Sequence, residues 1–179
     1  MNLKSAFVAL VAMVCLGGAQ ANIFTVTGDT TGSPTFNRPL ADLSDVSAIG
    51  TDVAYGSLEF TVDTSGTYTF LTTAEFDSFV FLYSPGFDPT APLSNGLIGN
   101  DDLLGLTTSG FAFDLDAGTT YFYITTGFDN DDFGAYSTTI GGPGDVITAS
   151  VPEPASVALM LLGLGAVGLA RRRSQTAAV

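Results

Sequence analysis

Between Tyr55 and Ile140 much of the chain alternates polar and apolar residues with a period of two. Leu58, Phe60 and Val62 alternate with Glu59 and Thr61, Tyr68 and Phe70 with Thr67, Thr69 and Leu71, and Phe111, Phe113 and Leu115 with Ala112 and Asp114. Such spacing sends one set of side chains inward and the other outward, as in antiparallel strands with one wet face. Two denser runs, Ser78 to Tyr83 and Tyr121 to Thr126, suit central strands, and Ala135 to Ile140 predicts a last clear strand with Tyr136 and Ile140 on one face. Upstream of Tyr55 only Ile23 to Thr27 reads as a good strand. Turn formers at Asp63–Gly66, Asp116–Gly118 and Asp129–Asn130 bound the runs. Strands of about six residues separated by such turns predict an all-β, antiparallel β-sandwich.

The two ends of the chain follow a different pattern. Lys4 precedes the apolar run Ala6 to Leu16, and Ala19 and Ala21 complete an A-x-A site, so residues 1–21 read as a secretory signal helix cut after Ala21. Residues 22–140 form the predicted sandwich. The stretch 141–150, opening with Gly141-Gly-Pro-Gly144, reads as a linker that holds one short edge strand, Asp145 to Ala149. Residues 151–179 begin with Val151, Pro152, Glu153 and Pro154, run through an apolar helix predicted over 157–170, and close with Arg171, Arg172 and Arg173. The prolines hold the backbone extended, and the arginines stop the apolar run as cytoplasmic positive charge does. The run is short against the ~20 residues that span a bilayer, which favours a transient hold over a permanent anchor.

That order of Val-Pro-Glu-Pro, short apolar helix and arginine cluster closely resembles the PEP-CTERM sorting tail of Gram-negative surface proteins. The resemblance implies recognition and cutting near the Pro-Glu-Pro by an exosortase-type membrane protease. It also implies a transient stay in the inner membrane, a final place at the cell surface or outside the cell, and an exopolysaccharide or biofilm setting. A second resemblance covers Asp77 to Ile140: Asp77-Ser-Phe-Val-Phe-Leu-Tyr83, Asn100-Asp101-Asp102, Phe111 to Gly118, Tyr121-Phe-Tyr-Ile124 and Gly134-Ala-Tyr-Ser137. It is similar to the bacterial pre-peptidase C-terminal domain, which implies a jelly-roll-like sandwich acting as an accessory module.

Composition narrows the chemistry. All eighteen acidic residues except Glu153 lie between Asn22 and Ser150, where Arg38 is the one base. So acidic a segment does not bind nucleic acid, whose phosphates need a basic surface. It suits solubility outside the cell and attraction of cations. Histidine is absent, and the one cysteine, Cys15, lies in the signal segment, so the sandwich has no disulfide and no Ser-His-Asp, Cys-His or Ser-Lys catalytic set. A carboxylate pair serving a hydrolase is the residual enzymatic reading; the expectation is a non-enzymatic protein.

Two acidic loops suggest calcium, which takes six to eight oxygen ligands from carboxylates, amides and carbonyls. They are Asn100, Asp101 and Asp102, to which Asp77 adds an oxygen if the sandwich is right, and Asp129, Asp131 and Asp132 around Asn130. Neither has EF-hand spacing, and the competing reading is that Asp and Asn here simply form turns. A calcium-dependent carbohydrate-binding or adhesive module is the alternative function. Phe87, Tyr123, Phe128 and Phe133 are its candidate sugar-stacking rings, or else they close the end of the core.

Overall fold

The computed structural model describes residues 21–148. Ten strands follow in order: β1 (Asn22–Asp29), β2 (Thr35–Phe36), β3 (Val53–Val62), β4 (Gly66–Ala74), β5 (Ser78–Tyr83), β6 (Gly96–Asn100), β7 (Thr108–Leu115), β8 (Tyr121–Gly127), β9 (Ala135–Gly142) and β10 (Val146–Thr148). They form two antiparallel sheets, ordered β1-β9-β4-β7 and β10-β3-β8-β5-β6, with the two-residue β2 also paired to β3. The chain switches sheets between β1 and β2, between β3 and β4 and between β4 and β5, and then at every step from β6 to β10. The eight longer strands thus have the order of a jelly roll, as the second resemblance implied. Among the described residues there is no helix; the helices predicted over 1–21, but for Ala21, and over 157–170 lie outside them.

Alternation explains the inner faces. Phe60 and Val62 of β3, Tyr68 and Phe70 of β4, and Leu115 of β7 are all 2 % exposed or less and meet between the sheets. Phe70 stacks on Tyr123 at 5.2 Å and packs on Phe111 at 5.1 Å, offset ring arrangements that add to simple area burial. The dense strand β5 is buried on both faces. Val80 and Leu82 enter the inter-sheet core, whereas Phe79, Phe81 and Tyr83 face a second cluster with Phe36 and Val53. The segment between β1 and β3 covers that outer face, so what reads as a polar connection is a lid on the second sheet.

Several expectations are revised. β6 falls where the sequence pattern names no strand, because Gly96 and Gly99 remove the β-branched signature of one. At Gly99 the missing Cβ is what admits the Phe81 ring, 2.7 Å from where that atom would stand. β9 runs on through Gly141 and Gly142, which pair with Ile23 and Asn22, so strand continues into the stretch read as linker. The short edge strand expected there is present as β10, beside β3.

Candidate functional site

Both acidic loops arrive at one end of the sandwich, where the turn from β4 to β5 meets the β6–β7 and β8–β9 connections. Backbone bonds fix the meeting. Phe128 N–H donates to the Asp77 carbonyl at 2.9 Å, Ser78 N–H to the Leu106 carbonyl at 2.8 Å, and Glu75 N–H to the Ala135 carbonyl at 3.1 Å. Asp77 is the last residue before β5, and Asp101 and Asp102 follow the last residue of β6, which pairs with β5. Register therefore brings residues far apart in sequence to one place.

Asp77, Asp101 and Asp102 each present a carboxylate oxygen, all within 4.8 Å of one another. Asp77 Oδ1 and Asp101 Oδ1 are shielded from solvent and accept no hydrogen bond. A buried polar atom without a partner is costly, and an anionic one more so. Burial first, then the charges of Asp132, Asp101 and Asp102, push the Asp77 carboxyl up to about 6, against the pull of Arg38. Burial and the neighbouring Asp102 likewise raise Asp101.

The remaining sequence candidates stand differently. Asn100 Oδ1 accepts from Gly110 N–H at 2.9 Å, which ties the end of β6 to β7 and commits the amide oxygen. Asp132 Oδ2 accepts from Asp129 N–H at 2.9 Å, and Asp129 Oδ1 from Asp131 N–H at 3.3 Å, so this loop closes on its own side chains as a turn. Asn130 caps it from the other side, accepting from Asp52 N–H at 2.9 Å. The two loops therefore share one end of the fold, and the three-carboxylate cluster uses Asp77, Asp101 and Asp102.

Arg38 is the residue that sequence reading left without a role. It is 2 % exposed, lies 4.2 Å over the Phe79 ring and 4.9 Å over the Phe128 ring, and donates to the carbonyls of Phe128 and Pro39. Burial lowers its pKa while the charges of Asp101, Asp77, Asp129 and Asp132 raise it. Its being the lone base in an acidic domain was the available signal.

Of the four candidate sugar-stacking rings, Tyr123 is buried and Phe87 and Phe128 are partly buried. Tyr123 is 1 % exposed with its hydroxyl 2.8 Å from Thr72 Oγ1; Phe87 packs on Phe36, Tyr55 and Tyr83; Phe128 lies under Arg38. Phe133, 46 % exposed, is the most open of the four. The core needs large rings because no tryptophan is present to fill it, and these positions supply them. A groove of about 710 Å³ opens elsewhere, on the outer face of the first sheet, lined by Ile23, Thr69, Leu71, Thr139 and Pro143 among others. Among the described residues no titratable side chain lines it.

Val151, Pro152, Glu153, Pro154, Arg171, Arg172, Arg173 and Ala19 lie outside the described residues, whereas Ala21 is exposed just ahead of β1. No curated protein matches the chain significantly. Residues 150–174 match the family model of the PEP-CTERM protein-sorting motif. The chain therefore carries the mark of an exported protein handled by an exosortase-type membrane protease and held transiently at the membrane through its tail.

Proposed function

We propose that this is a non-enzymatic cell-surface or extracellular-matrix protein of a Gram-negative bacterium whose sandwich holds a calcium ion at Asp77, Asp101 and Asp102. The observation that carries the cation reading is the pair of solvent-shielded carboxylate oxygens, Asp77 Oδ1 and Asp101 Oδ1, that no donor satisfies. With the exposed Asp102 they make a group of three carboxylates, one oxygen of each within 4.8 Å of the others, which repel one another and would gain most from a hard divalent cation between them. The remaining oxygen ligands that calcium takes would come from main-chain carbonyls and exchangeable water. The similarity of residues 77–140 to pre-peptidase C-terminal domains supports an accessory rather than catalytic role. The sorting tail supports an exopolysaccharide or biofilm setting. Burial of Tyr123 and the packing of the partly buried Phe87 and Phe128 against the second cluster weaken the sugar-stacking alternative.

Thermal unfolding with and without calcium tests the site. The melting temperature rises at millimolar calcium and returns on adding chelator, because a ligand bound only by the folded state stabilises it. An unchanged melting temperature would falsify the assignment.

A further inference from the structure

The β6–β7 connection leaves the carboxylate cluster and at once exposes three leucines. Leu103 is 48 %, Leu104 85 % and Leu106 60 % exposed. They are held out on an ordered turn. Leu103 N–H donates to the Thr108 carbonyl at 2.9 Å, Leu104 N–H to Thr108 Oγ1 at 3.2 Å, and Thr108 N–H back to the Gly105 carbonyl at 2.8 Å. Gly105 sits at φ 145°, a conformation that L side chains resist, so the turn needs this glycine. The Leu106 carbonyl accepts from Ser78 N–H, beside Asp77, and Asp101 and Asp102 lead into the turn. Apolar tip and carboxylates thus share one end of the sandwich. The adjoining loops add Phe133, 46 % exposed, and Ile49, 52 % exposed.

We propose that this end is a cation-dependent docking tip for an anionic phospholipid surface: Leu103, Leu104 and Leu106 enter the interface while lipid phosphate oxygens complete the shell of a divalent cation held by Asp77, Asp101 and Asp102. The inference rests on the cation reading above. Three features select lipid. The three side chains that protrude from the turn are aliphatic, suited to hydrocarbon rather than to stacking on sugar, and Phe133 is the one largely exposed ring beside them. Phosphate oxygens are hard ligands of the kind calcium takes. An acidic domain is repelled by an anionic bilayer and equally by its own copy, and a bound divalent cation offsets two of the three cluster charges, which weakens that repulsion only where the leucines protrude. The sorting tail brings the chain to a membrane in any case, so the tip acts at short range.

The test uses the full chain with Cys15→Ser and Leu104→Cys, the new thiol carrying an environment-sensitive fluorophore. A companion chain carries the same label through Ala117→Cys, in the exposed β7–β8 turn at the opposite end. With phosphatidylglycerol vesicles and calcium together, the label at 104 shifts to the blue and brightens several-fold, chelator reverses this, and the label at 117 does not respond. Adding Leu103→Ser and Leu106→Ser, both exposed and so tolerated by the fold, raises the vesicle concentration for half-response several-fold. A melting temperature that rises with calcium beside a silent label at 104 overturns lipid docking and leaves the cation site standing. No rise in melting temperature removes both. A response without calcium, or equal at 104 and 117, overturns the proposal in favour of tail-led adsorption. A response to calcium without vesicles assigns the tip to a second copy and also overturns it.

Discussion

The guanidinium of Arg38 donates twice to the Phe128 carbonyl, at 3.0 Å from Nε and 2.8 Å from Nη2, and lies over the same residue's ring. One side chain thereby pins the start of the β8–β9 loop to the segment that covers the second sheet. It also sets a positive charge beneath Asp77, Asp101, Asp129 and Asp132. The carboxylate end is assembled around this buried cation.

Replacing Arg38 by Met keeps much of the packing but leaves the Phe128 carbonyl without its donors. Unfolding in urea is expected to show a loss of about 2–3 kcal/mol, the range for hydrogen bonds from a charged group. Arg38→Lys keeps the charge yet cannot fork onto one carbonyl while packing flat between two rings, so it recovers only part of the loss. Equal stability of Arg38→Lys and the parent would contradict this account.

Acid should stabilise the domain before it destabilises it. A carboxyl raised in the folded state binds its proton more readily there than in the unfolded chain, so folding gains as pH falls from about 6 toward 3.8 at Asp77, with Asp101 adding in the same direction. Asp29, Asp42 and Asp88, whose pKa values are lowered by hydrogen bonds from Thr31, Ser44 and Thr90, work the other way below that window. Melting temperature against pH, without added cation, should therefore climb between pH 7 and about 4.5, and the calcium-induced rise should shrink below pH 6.

Asp77→Asn removes one of the mutually repelling charges while keeping the shape of the side chain. Without calcium at neutral pH the variant should be more stable, on the order of 1 kcal/mol. It should also lose most of the calcium response and flatten the climb with acid. A calcium response of parental size in Asp77→Asn would place the cation elsewhere.

Gly127 ends β8 where a Cβ would stand 2.2 Å from the Asp132 carbonyl oxygen, a backbone atom. Gly127→Ala forces the Asp129–Asp132 turn outward and should cost about 2 kcal/mol, as overpacking does. Chemical denaturation measures it. Ala117→Gly, in an exposed turn, serves as the neutral comparison.

Processing predicts a mass. The exported protein should end near Pro152–Pro154, and changing Arg171, Arg172 and Arg173 together to Gln should leave the longer, membrane-held form to accumulate. Intact mass spectrometry distinguishes the two; an exported product still ending at Val179 would contradict tail removal.

Period-two alternation was enough to locate β3, β4, β7 and the density of β5 and β8, because strand residues facing a core must be apolar at every second position. The sorting motif was legible outright, since prolines, an apolar run and arginines act through their own chemistry in a short contiguous stretch. β6 was not legible. Glycine at 96 and 99 erases strand propensity, and the strand forms because β5 offers a free edge and Phe81 needs the space beside Gly99. Nor could Tyr123 and Phe133 be told apart by type, both being aromatics near acidic loops. The register of β8 against β3 and β5 puts the first inside, while the second stands in the β8–β9 connection and is left out.

Sequence by itself thus determined the class of fold, the acidity and the sorting tail, each a property of local pattern or composition. Tertiary structure decided the site. Asp77 and the Asp101–Asp102 pair come from opposite ends of a hairpin, and only the β5–β6 pairing draws their oxygens within 4.8 Å. It also buried Arg38 beneath them and left three leucines outside beside them. Such juxtapositions depend on pairing across the sheet, and no periodicity along the chain encodes them.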